Sequence, residues 1–132
     1  MISSLIDAAK ALVSAATSLQ KLGDERRTKI ATYFDAISKV LSAIPERKLK
    51  DEPFVDLCGE LHVYAEMLEK VASSAVSPVE LLNLVKTLQS AEDMRGMLSL
   101  EWAEYTYRDM PVATLQEAAG LFRGLAATLR AQ

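Results

Sequence analysis

The chain has 132 residues, half of them hydrophobic and a quarter charged, and its 15 Lys+Arg against 18 Asp+Glu give a formal net charge of -3. That length accommodates one domain with a core of its own, and a single cysteine, Cys58, excludes a disulfide scaffold. The apolar fraction excludes a disordered chain, and the slightly acidic balance sets aside a dedicated nucleic-acid binder.

Punctuation is sparse, with five Gly and four Pro, and no stretch alternates apolar and polar residues over a strand's length. The first segment, residues 2–22, places Ile2, Leu5, Ala9, Leu12, Ala16 and Leu19 at steps of three and four, one stripe of an amphipathic helix. Gly23 follows as a C-terminal stop. A second helix is expected from Asp24 to Ile44, with Asp24 and Glu25 at its positive end and a stripe of Ile30, Phe34, Ile37, Leu41 and Ile44. Pro45 is expected to end it, leaving residues 45–53 as the longest loop.

A third helix starts near Pro53 with the stripe Leu57, Leu61, Tyr64, Leu68 and Val71. Ser77-Pro78-Val79-Glu80 then combines an N-cap Ser, a Pro at the first helical position and a Glu three residues on. Leu81, Leu84, Val85, Leu88 and Ala91 follow on one face; whether this helix stops near Gly96 or runs through Trp102 to Tyr107 is left open by the sequence. Thr114-Leu115-Gln116-Glu117 repeats the capping pattern before the last stripe of Leu115, Ala118, Phe122, Leu125 and Leu129. The fold expected is all-α: one domain over 1–132, an up-and-down antiparallel bundle of five to six helices joined by mostly short connections.

Charge is segregated along the chain. Residues 26–50 hold seven basic residues (Arg26, Arg27, Lys29, Lys39, Arg47, Lys48, Lys50) against Asp35 and Glu46, a balance of +5. Residues 51–69 hold six acids (Asp51, Glu52, Asp56, Glu60, Glu66, Glu69) and no Lys or Arg, a balance of -6. Two adjoining helices of opposite sign suit a charge-complementary hairpin, and equally a surface that docks an oppositely charged partner or copies of itself. The basic cluster Arg26, Arg27 and Lys29 is one candidate docking site. The other is the segment 100–110, where Trp102, Tyr105, Tyr107 and Arg108 are residue types enriched at interface cores.

Chemistry is thinly supported. Cys58, His62 and Glu66 share one helical face and are metal-ligand types, and Cys with His is a nucleophile–base pair. No second His or Cys exists to close such a site, and phosphate-binding and nucleophile-elbow motifs are missing. The expectation is therefore no enzyme, no metal and no cofactor. Asp7 and Lys10 interrupt the apolar opening helix, which fits neither a membrane span nor a signal peptide. A cytoplasmic location follows as the default.

The segment Arg26-Arg27-Thr28-Lys29-Ile30-Ala31-Thr32-Tyr33-Phe34-Asp35-Ala36-Ile37, with Val40, Leu41 and Ile44 after it, resembles effector-associated helical modules of bacterial conflict and signalling proteins. That resemblance implies a non-enzymatic adaptor in a defence or signalling system, with a protein partner or a homo-oligomer and no nucleic acid. The apolar first helix ahead of a bundle is also similar to HeLo-type cell-death bundles. This second resemblance implies the alternative, a membrane-permeabilising bundle acting through that helix.

Overall fold

A computed structural model describes residues 2–71, 79–89 and 109–131. Its helices are α1 (Ile2–Ser14), α2 (Ala16–Gln20), α3 (Asp24–Leu49), α4 (Val55–Val71), α5 (Val79–Gln89) and α6 (Asp109–Arg130). Among the described residues there is no strand. The five longer helices close a ring, in which α3 packs on α4 and α6, α4 on α5, α5 on α1, and α1 on α6. The chain is an all-α helical bundle.

Among the described residues, most members of the stripes read from the spacing turn into this ring. Leu5, Ile6, Ala9 and Leu12 of α1, Ile30 to Ile44 of α3 and Leu81 to Leu88 of α5 supply buried side chains. So do Leu57, Leu61 and Leu68 of α4, while Tyr64 and Val71 are half-buried at its margin. Each fully buried Leu, Ile or Phe removes apolar surface worth roughly 1.5–3 kcal/mol from water. The tightest seam is α3 on α6. There Ala31, Ala118, Ala119 and Ala126 are buried small residues that let two backbones approach, and the rings of Phe34 and Phe122 meet at 5.6 Å and 55°. Ser38, the buried polar residue of the core, donates its hydroxyl to the Ala119 carbonyl at 2.7 Å.

Several expectations are corrected. Pro45 does not end α3, which continues to Leu49 with Pro45 buried inside it. Proline removes only its own N–H, and the packed core face of α3 outweighs the local preference against helix. The link to α4 accordingly shrinks from nine residues to 50–54. It holds a left-handed Asp51 (φ 57), whose N–H donates to the Lys48 carbonyl while the Glu52 N–H donates to that of Arg47. Those two bonds make a Schellman ending with Asp where Gly is usual.

At the front, the expected 2–22 helix breaks at Ala15 into α1 and α2, where Ser14, Thr17 and Ser18 are weaker helix formers than their neighbours. Gly23 is not a left-handed stop; it is extended (φ -62, ψ 154) and serves as the N-cap of α3. The Thr114–Glu117 pattern is not a helix start either, since α6 begins at Asp109 and places Pro111 in its first turn, where a missing N–H breaks no helical bond. α6 lies between α1 and α3. The Ser77-Pro78 cap and the stretch from Gly96 to Tyr107 fall outside the described residues.

Candidate protein-docking face

α3 and α4 run antiparallel, with Arg26 at one end of the pair against Val71 and Arg47 at the other against Asp56. Between them lies an outward-facing groove of about 510 Å³ lined by Glu25, Arg26, Lys29, Tyr33, Met67, Lys70 and Val71. Its floor is apolar and its rim carries three cations and one acid. The local folding that builds it is simple. The half-buried sides of Tyr33 and Val71 complete the α3–α4 seam, and Met67, one turn beyond Val63, is left facing outward with 37% of its surface exposed.

The charged residues singled out from the sequence behave differently from one another. Arg26 donates both Nε (3.1 Å) and Nη2 to the Val71 carbonyl, capping the end of α4. Arg27 turns inward with only 13% of its side chain exposed. It donates to the carbonyls of Leu129 (3.1 Å), Leu22 (3.2 Å) and Gln20 (3.3 Å) and pairs with Asp24. One guanidinium thereby ties the last turn of α6 to the α2–α3 corner. Lys29 is the outward member of the cluster, exposed and paired with Glu25 at 3.2 Å. Trp102, Tyr105, Tyr107 and Arg108 lie outside the described residues.

The opposed charges of α3 and α4 meet where the Arg47 guanidinium hydrogen-bonds Asp56 and holds its carboxyl below its ordinary value, with desolvation opposing. Elsewhere Lys10 of α1 reaches Glu117 of α6 at 3.4 Å, and Arg130 pairs with Asp35 across α6 and α3. His62 Nε2 lies 3.0 Å from Glu66, a partly exposed pair on the outer side of α4. Cys58 is half-buried on the same helix and packs against the core cluster. Among the described residues no three His, Cys, Asp or Glu side chains gather as a metal site, and no described helix is long and apolar enough to cross a membrane.

Sequence reasoning did not single out Met67, Tyr33 or Lys70 as groove residues. It also missed the exposed apolar residues Val55 and Val63. The signal for the latter was present, because Val55, Val63 and Met67 are apolar at four-residue multiples off the buried stripe of α4. Comparison of the chain with protein-family models, curated proteins and solved structures returns no match in any of the three.

Proposed function

We propose that this chain is a non-enzymatic helical interaction module, an adaptor or regulatory domain that orders a protein partner or further copies of itself. The observation that carries this is the α3–α4 groove, an apolar floor of Tyr33, Met67 and Val71 inside a rim of Arg26, Lys29 and Lys70. Apolar centres with charged rims are the anatomy of protein-docking surfaces, the charges setting orientation and encounter rate. A bacterial defence or signalling setting in the cytoplasm belongs to the same proposal and rests on the likeness of the Arg26–Ile37 segment. The membrane-permeabilising alternative would need Leu5, Ile6 and Leu12 drawn out of the core, where all three are under 10% exposed. That extraction costs roughly 1.5–3 kcal/mol for each side chain, so it is the less favoured reading.

A photo-cross-linking residue in place of Met67, in the intact chain inside its native cell, tests the docking role. The expected result is a discrete protein adduct that weakens when Lys29→Glu and Lys70→Glu reverse the rim. A matching probe at Gln116, exposed on α6, serves as the control. Adducts no stronger at Met67 than at Gln116 would sink the proposal.

A further inference from the structure

We propose that the outer face of the α3–α4 pair stacks on the same face of a second copy of this chain, with α3 of each copy lying on α4 of the other. This rests on the interaction-module reading and names its occupant. The α4 side of the face is an exposed apolar ridge, Val55, Val63 and Met67, at 47%, 52% and 37% exposure. Gly59 fills the remaining step of that four-residue spacing. It is exposed, has no positive φ, and a Cβ there would meet nothing within 4 Å. Neither its own backbone nor its own packing asks for glycine, which weakens a helix relative to alanine. A bare position on an outward ridge leaves room for another backbone to come close.

The α3 side is complementary in shape and in charge. Thr32, Ala36 and Ala43 are short side chains at exposed or half-exposed positions, and Lys29 and Lys39 stand exposed among them. Over its own length α3 carries +2 (six basic against four acidic residues) and α4 carries -3 (four acidic against one basic). Symmetry decides which stacking uses this. A two-fold axis lying along the helix pair sets α3 over α4 in both directions, basic on acidic twice. A two-fold axis across the pair would set α4 on α4, acid on acid.

The first arrangement also fixes the register, because a pure rotation adds no slide along its axis. Arg26 reaches Val71 and Arg47 reaches Asp56, so the middle of the 26–47 run, at Ala36, is level with the middle of the 56–71 run, at Val63. Counting from there in opposite directions at equal rise, Lys39 is level with the turn holding Glu60 and faces Glu60 of the second copy, as Ala36 faces Val63. A face built on a 17-residue helix, about 26 Å long, buries an area at the small end of specific interfaces. The association is accordingly weak, concentration-dependent and screened by salt.

Sedimentation equilibrium of the full chain, from about 10 μM to about 1 mM, reads this directly. The expected result is a reversible dimer that loosens as salt rises. Val63→Lys should weaken it, as should Lys39→Glu and Glu60→Lys singly, each by about tenfold, and the Lys39→Glu/Glu60→Lys double variant should recover most of the loss. Gly59→Gln should raise the melting temperature of the chain while weakening the dimer, a pairing that impaired folding cannot mimic. A chain monomeric throughout overturns the proposal, as does a dimer indifferent to Val63→Lys or a double variant no tighter than the singles. A monomeric chain that still gives a foreign-protein adduct at Met67 overturns the dimer alone and leaves the interaction-module reading standing.

Discussion

Arg27 shows how a residue that reads as surface charge becomes a structural tie. Its guanidinium satisfies the Leu129 carbonyl, one of the acceptors that the end of a helix leaves without a helical partner, together with two carbonyls at the α2–α3 corner. Charge-assisted hydrogen bonds of this kind are worth about 1.5–3 kcal/mol where they replace water. Arg27→Ala is expected to lower unfolding free energy by about 2–3 kcal/mol, measured by urea denaturation. Arg27→Lys should recover less than half of that, because a point charge cannot fork to several carbonyls; full recovery by Lys would contradict the geometry. The inward turn was legible in part. Residues 27, 30 or 31, 34 and 38 share one helical face, so Arg27 sat at the edge of the core stripe. What the sequence could not supply was the last turn of α6, 102 residues away, as its acceptor.

At the scale of elements, spacing was a good guide to which residues are buried and a poor one to where helices end. The stripe Ile30, Phe34, Ile37, Leu41 and Ile44 is buried as read, since burial follows periodicity directly. Helix ends depend on a balance of about 1 kcal/mol per residue, which packing overrides, and Pro45 and Thr114 were both misjudged as boundaries for that reason. Asp51 gives a direct measure of such a balance. An L-residue in the left-handed region is strained by roughly 1–2 kcal/mol, a penalty glycine escapes, while glycine's greater unfolded-state freedom offsets part of the gain. Asp51→Gly is expected to stabilise the chain by about 0.5–1 kcal/mol. A thermal melt showing no gain would mean that the Asp side chain contributes more than its backbone costs.

For the whole molecule, the ring order matters more than the helix count. α6 closes the ring by lying between α1 and α3, so its apolar side lies against both. The bundle expectation held at the level of all-α architecture, yet nothing in the spacing could reveal which helix stands next to which. Neighbour choice is set by facing surfaces, here the alanines and the two Phe rings of the α3–α6 seam. Ending the chain before Asp109 is expected to leave Ile30, Phe34 and Leu41 without their cover. Such a chain should keep helical circular dichroism while binding a hydrophobic dye and losing a cooperative melt. A truncated chain that melts as sharply as the full one would show that α1 to α5 suffice.

The position of α6 has a bearing on biosynthesis. Ser38 leaves the ribosome 81 residues before Ala119, whose carbonyl it bonds, and the chain is made at about 5–20 residues per second. For several seconds the nascent polypeptide therefore carries a completed α3 whose greasy flank has no cover. That flank of α3 closes only once α6 has been made.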